Sequence, residues 1–151
     1  MSKKVTINTE EYDVYATVSD ANNYFAVTYG NEWSDIAATT KPKLLISATK
    51  YIDRQNWQGE KVDKEQSLQF PRIINDEQTD ENLLMEACCE IAMSFYNNDT
   101  SVSLSMPNVQ NVKLGDSSIS FNEGANIKTE EGSIIDNFLG NYLVSGVQVV
   151  L

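Results

Sequence analysis

Two spacings of apolar residues divide this chain. Between Ser19 and Asn98 they recur three and four apart, the period of one buried helical face; between Ser101 and Phe121 they recur every second residue, the period of a strand. Leu44, Leu45, Ala48, Tyr51 and Ile52 predict a helix opened by Pro42, whose missing amide hydrogen has no partner in a first turn anyway. Lys43, Lys50 and Asp53 fall off that stripe and are expected in water. Gly59 is expected to end the helix in the left-handed conformation, with Trp57 pinning its exit against a core. Upstream, Ala21, Tyr24, Phe25 and Thr28 predict a first helix, capped by Ser19 with Asp20 in its positive end and stopped by Gly30-Asn31. Leu83, Leu84, Ala87, Cys88, Ile91, Ala92 and Phe95 give the cleanest period, a central helix capped by Thr79 or Asp80 and closed by Asn97-Asn98-Asp99. Ser133 is expected to cap a last helix carrying Ile134, Ile135, Phe138, Leu139, Tyr142 and Leu143.

The alternating residues are Val102, Leu104 and Met106, then Val112 and Leu114, then Ile119 and Phe121 around Gly115-Asp116-Ser117-Ser118, which predicts a hairpin. Val5 and Ile7 also alternate, as in a short strand or an arm that pairs with a neighbour. Trp33, Ile36 and Ala37 read as a connecting turn. The expected fold is mainly α: a small bundle of about four helices with a β-hairpin between the third and last. At 151 residues the chain suits one domain with an appended arm. Residues 1–14 form the arm, 15–123 the helical domain with its hairpin at about 102–121, and 124–151 a linker, the last helix and an apolar tail.

Gly59 to Asp80 is polar, with single apolar anchors at Val62, Leu68, Phe70, Ile73 and Ile74, as in an ordered loop crossing a helical core. Within it Gln69-Phe70-Pro71-Arg72 sets an aromatic beside a fixed proline and a charge-paired or solvent-reaching arginine. Tyr51, Trp57, Gly59, Phe70, Pro71 and Arg72 therefore read as structural anchors that fix the loop to the helices.

The net charge of −11 repels a phosphate backbone at long range, and the lysines and arginines never form a run, so generic nucleic-acid binding is disfavoured. No window supplies the roughly eighteen consecutive apolar residues of a membrane span, and no apolar run follows the first lysines. The protein is expected to be soluble, unexported and free of membrane contact. With no histidine, the usual neutral-pH base and zinc ligand is missing, and no phosphate-cradling glycine motif occurs. Cys88 and Cys89, adjacent on a helix, point about 100° apart and read as packed thiols. The acidic pairs Glu10-Glu11, Asp76-Glu77, Asp80-Glu81 and Glu130-Glu131 read as solvated charge, and Asn98-Asp99-Thr100 as a sequon without use in an unexported chain. Of the aromatic residues, only Tyr51 beside Lys50, and Trp57 near Arg54 and Lys61, have the cationic company that base stacking needs. Neither catalysis nor any cofactor or metal is expected.

Tyr15-Ala-Thr-Val18 with Ala21, Tyr24 and Phe25; Ala48-Thr-Lys-Tyr51-Ile52-Asp53 with Trp57, Gly59 and Lys61; Leu68, Phe70, Pro71 and Arg72; and Glu86-Ala87 with Glu90-Ile91-Ala92 together resemble one family. It is that of the head-to-tail adaptor, connector or head-completion proteins of tailed bacteriophages, which often carry the label DnaT-like single-stranded-DNA-binding protein. The resemblance runs from Tyr15 to Phe121. Phe70 stands where the family more often has tryptophan. The resemblance implies a non-catalytic virion protein in the neck, made in the host cytoplasm, whose subunits form a ring of twelve under the portal. The ring extends the DNA channel, lets genomic double-stranded DNA pass without specific binding, and offers its far face to a tail or stopper protein. In such a ring the expected portal or subunit contacts are the loop Gly59–Asp80 and the terminal residues Phe138, Leu139, Tyr142, Leu143, Val147, Val149, Val150 and Leu151. The alternative is a single-stranded-DNA-binding replication accessory, DnaT-like, for which these residues offer little physical support.

Overall fold

A computed structural model describes residues 3–105 and 129–144, with side chains for 3–98 and 129–144. The chain begins with an antiparallel hairpin, β1 (Lys3–Ile7) and β2 (Glu10–Val14), in register Lys3 to Val14 and Ile7 to Glu10. Asn8 and Thr9 turn it with φ of 53° and 69°, the doubly left-handed turn whose twist matches the flanking strands. Val5 and Val14 are buried, so residues that the sequence sets apart as an arm contribute to the core. Lys4 and Asp13 face each other across the strands as an ion pair at 2.5 Å.

Helix α1 (Val18–Ala26) is capped by Thr17 and not by Ser19. The Thr17 hydroxyl accepts from the Asp20 amide at 3.0 Å while the Asp20 carboxylate accepts from the Thr17 amide at 3.0 Å. This reciprocal box satisfies two orphan donors, and Asp20 takes the position where only Thr17 lies three residues back. Lys3 pairs with Asp20 at 2.7 Å and ties the hairpin to this helix. Val27 already caps the helix C-terminus, ahead of Gly30. A short 3₁₀ turn (Trp33–Asp35) then stacks Trp33 on Phe25 at 5.0 Å.

Helix α2 (Lys41–Asp53) has Pro42 in its first turn and buries Leu45, Ala48, Thr49 and Ile52. Its partner is the long α3 (Glu81–Ser105), whose Leu84, Ala87, Cys88, Ile91 and Ala92 fill the centre of the molecule, and α4 (Glu130–Leu139) covers the other side of α3 with Ile135 and Leu139. Asp80 stands before α3 and its carboxylate accepts from the Asn82 amide at 2.8 Å. Asn97-Asn98-Asp99 does not close α3. Asn98 instead turns its side-chain amide to Ser94 and Glu131 and away from the backbone, and the helix runs on to Ser105. Val102 and Leu104, assigned by alternation to a hairpin, therefore lie in α3, and the rest of that expected hairpin, 106–121, is outside the described residues. Thr129, four residues before Ser133, caps α4 by accepting from the Gly132 amide at 2.9 Å. Tyr142 and Leu143 follow α4 in a 3₁₀ turn (Gly140–Tyr142) and a β-bridge.

Between α2 and α3 the chain makes an excursion containing β3 (Glu60–Lys61), β4 (Arg72–Ile74) and β5 (Glu77–Gln78), an antiparallel sheet in that order. Asn75 and Asp76 turn β4 into β5 with the same φ pair, 53° and 69°, as the first hairpin. The described fold is thus a mixed one, four α-helices with two small antiparallel sheets, and not a purely helical bundle.

Candidate functional site

The excursion is held by one arginine. Arg72 is buried, and it is neither charge-paired nor solvent-reaching as expected; its guanidinium donates to backbone carbonyls. Nε reaches the Gln58 carbonyl and Nη2 the Gly59 carbonyl, each at 2.7 Å, while Nη1 donates to the Gln69 side-chain oxygen at 2.8 Å and its carbonyl at 3.3 Å. The planar fork suits this work, because its fixed donors meet several carbonyls at once and a guanidinium is weakly hydrated. The Arg72 amide donates to the Thr79 hydroxyl at 3.1 Å, and the Thr79 amide returns a bond to the Arg72 carbonyl at 2.9 Å.

The clasp extends to the C-terminal segment. The Gln58 amide donates to the Tyr142 carbonyl at 2.9 Å and its side chain to the Leu143 carbonyl at 2.6 Å. Trp57 bridges Leu143 in antiparallel fashion, and the Val144 amide donates to the Asn56 carbonyl at 3.0 Å. Tyr142 closes the circuit by accepting, at its phenol oxygen, the Asp80 amide at 3.0 Å. Bonds therefore run from residue 142 through 58, 72 and 79–80 back to 142.

Phe70 is the apolar centre of the same region. Its ring meets Trp57 at 4.8 Å, Tyr142 at 5.9 Å and Tyr15 at 6.0 Å. The Trp57 indole donates to the Ile52 carbonyl at 2.8 Å, so it pins the exit of α2 as expected of it. The Tyr15 hydroxyl donates to the Asp53 carboxylate at 2.5 Å and accepts the Phe70 amide at 3.0 Å. Asp53, expected in water, is thereby drawn inward. Burial pushes its carboxyl upward against the opposing pull of Tyr15, the Gln69 amide, Lys61 and Arg72, and burial with the Asp53 charge pushes the Tyr15 phenol up as well.

Gly59 does not end α2, which stops at Asp53. It sits at φ +74° against β4, where an added Cβ would meet the Ile73 carbonyl oxygen at 2.0 Å. Pro71 follows a cis peptide bond, and its carbonyl accepts from the Val62 amide and the Gln66 side chain. Tyr51 is apart from this group: its ring meets Phe95 at 5.8 Å and joins α2 to α3. Of the expected portal or subunit contacts, Leu139 is fully buried, and Phe138, Tyr142 and Leu143 are half-buried against the chain's own core. Val147, Val149, Val150 and Leu151 lie outside the described residues. Gln58 was not singled out by sequence, and Gln69 and Thr79 were read only as part of the Gln69-Phe70-Pro71-Arg72 stretch and as a helix cap, since polar side chains in a polar loop carry no periodic signal.

Reactive groups elsewhere are buried and occupied. Cys88 lies between the Thr49 hydroxyl at 3.5 Å and the Leu45 carbonyl at 3.7 Å; burial pushes its thiol up to about 11, and that of Cys89 up further. Glu131, read from sequence as solvated charge, is buried and accepts from Ser94 at 2.7 Å and Asn98 at 2.8 Å. Among the described residues no group of three or more metal-ligating side chains is assembled, and no helix is long and apolar enough to cross a membrane. A recess of about 370 Å³ lies between the N-terminal hairpin, the excursion and the start of α3, lined by Val14, Tyr15, Val62, Leu68 and Phe70 among others. Among the described residues the exposed large apolar side chains are Val62 and Ile73 on the excursion, Val27 and Tyr29 after α1, and Tyr12 on the hairpin.

These features define a small α/β domain organised around a braced excursion. A protein-family profile described as "Putative DnaT-like ssDNA binding protein" matches residues 6–150, nearly the whole sequence, and the chain belongs to that family. This is the label that accompanies the resemblance drawn from sequence; the adaptor role goes beyond the match. No curated protein and no solved structure matches the chain.

Proposed function

We propose that the protein is a structural subunit of a tailed-bacteriophage neck, a head-to-tail adaptor. Its copies form a ring of twelve under the portal, continue the DNA channel and offer their far face to a tail or stopper protein. The observation that carries this reading is the clasp of Arg72. A polar excursion whose one buried cation is committed to the carbonyls of Gln58, Gly59 and Gln69 is built to hold a shape, and a held shape serves assembly. The protein performs no catalysis and takes no cofactor. A net charge of −11 suits a channel wall over which phosphate slides. Its partners are its own copies, the portal and the tail or stopper; its place is the neck of the virion and, during assembly, the host cytoplasm. Electron-microscope images of the purified protein, alone and mixed with portal, test this: rings on the portal are expected, and their absence would refute it.

The family description favours a second reading, a single-stranded-DNA-binding replication accessory. Against it, Trp33, Trp57 and Phe70 are core residues, and stacking on bases needs exposed rings among cations. A salt titration of oligonucleotide binding separates the readings. Little affinity even at low salt is expected of an adaptor; tight binding that weakens steeply with salt is expected of the accessory.

A further inference from the structure

We infer that the outer face of α2 receives the acidic excursion of a second copy of this chain, which makes it one half of the head-to-tail contact; the inference rests on the ring reading. The sequence shows no run of basic residues, yet the helix collects them. Lys43, Ser47, Lys50 and Arg54 follow each other at steps of four, three and four, so they share one face, and all four are exposed. Three cations thus line about 16 Å of helix. None of them makes an ion pair among the described residues, whose two salt bridges belong to Lys3 and Lys4. The single acid of α2, Asp53, turns inward to Tyr15. Other cations are engaged elsewhere: Arg72 on carbonyls, Lys61 on the Gln66 carbonyl, and Lys41 on Asn22 and over the Trp33 ring.

The excursion has the opposite character. Glu60, Asp63, Glu65, Asp76, Glu77 and Glu81 are exposed on it and at the start of α3, with Lys64 as the exposed cation among them. Val62 and Ile73, partly exposed in the same segment, add apolar area to a contact. Because Arg72 already fixes its course, little ordering cost remains at association. A basic helix face and an acidic excursion on different parts of one chain are complementary in a heterologous sense, and repetition of such a contact closes a ring or continues as a filament. Nucleic acid fits the face less well: Tyr51, the aromatic residue on this helix, is turned onto Phe95 and offers no stacking surface.

The test is the triple reversal Lys43→Glu, Lys50→Glu, Arg54→Glu, with far-UV circular dichroism confirming the fold, imaged alone and on the portal beside the wild type. We expect the triple variant to lose rings, and a chain that also carries Glu60→Lys, Glu65→Lys and Glu77→Lys to regain them. Native mass spectrometry should show subunit association at least about tenfold weaker in the triple variant, with the loss in wild type largest as salt rises past about 0.1 M. Wild-type rings that persist unchanged in the triple variant overturn this inference and leave the ring reading standing. A wild type that forms no ring, alone or on portal, overturns both. A labelled oligothymidine bound by the wild type and released by the triple variant, with assembly unchanged, would make the face a nucleic-acid surface and overturn the inference too.

Discussion

The Arg72 Nε donates to the Gln58 carbonyl at 2.7 Å, and through this bond a residue of β4 holds the strand segment onto which the chain's C-terminal turn is stitched. Removing the guanidinium takes the shared donor from the carbonyls of Gln58, Gly59 and Gln69 and leaves a gap where the buried Arg72 side chain stood. Arg72→Ala should therefore cost on the order of 3 kcal/mol of unfolding free energy, and Arg72→Lys should recover less than half of it, because an ammonium cannot span the same fork. Urea unfolding followed by tryptophan fluorescence reads both. A loss under about 0.5 kcal/mol for Arg72→Ala would mean that the clasp is ornamental.

Gly59 and Gly30 make a controlled pair. Both have positive φ, but a Cβ at Gly59 meets the Ile73 carbonyl oxygen at 2.0 Å while one at Gly30 meets nothing within 4 Å. Gly30→Ala should cost about 1 kcal/mol, the backbone term alone. Gly59→Ala should cost several times as much, or prevent folding, because the clash is with backbone that cannot move without breaking β3 from β4. Thermal melts of the two variants, run side by side, check the ratio.

Much of this was legible in the sequence, and the failures have specific causes. The three-and-four spacing found α2 and α3 because each buries a full face of aliphatic and small side chains. Cap positions slipped by two residues in α1 and four in α4, where a threonine upstream of the expected serine had the better geometry. The two hairpins were faint because Asn8-Thr9 and Asn75-Asp76 lack the glycine that marks such turns most strongly. Arg72 was misread because arginine normally finds a carboxylate or water, and nothing in a linear sequence says that carbonyls from residues 58, 59 and 69 will converge on it. The basic face of α2 makes no run in the sequence because Lys43, Lys50 and Arg54 stand seven and four residues apart and meet only on the helix.

The circuit through Tyr142 predicts coupling. Tyr142→Phe removes only the acceptor of the Asp80 amide and should cost about 1 kcal/mol, whereas Trp57→Ala, which empties space beside Phe70 and Ile52, should cost about 3–5 kcal/mol. Since the Trp57 and Tyr142 rings both pack on Phe70, Trp57→Ala combined with Tyr142→Ala should fall short of the sum of those two single variants by at least about 0.5 kcal/mol. Strict additivity in denaturant melts would show the two residues to be independent.

Alkaline pH should unfold the protein early. Cys88 is held up to about 11 by burial, and Cys89, Tyr15 and Tyr24 are raised as well, so the folded state keeps protons that the unfolded chain releases. The unfolded state then binds fewer protons, and stability falls as pH rises. The decline should begin near the ordinary thiol value, about 9, and for Cys88 continue to about 11. Cys88→Ala should flatten the first part of the curve. Melting temperatures collected from neutral pH upward test the sign; a flat profile through pH 11 contradicts it.

The central claim is that this chain is an assembly subunit. Images of the purified protein mixed with portal address it most directly. The account predicts closed rings seated on the portal, with no tight binding of single-stranded oligonucleotide by the same preparation at low salt. Bare portals together with salt-sensitive, high-affinity oligonucleotide binding would contradict it.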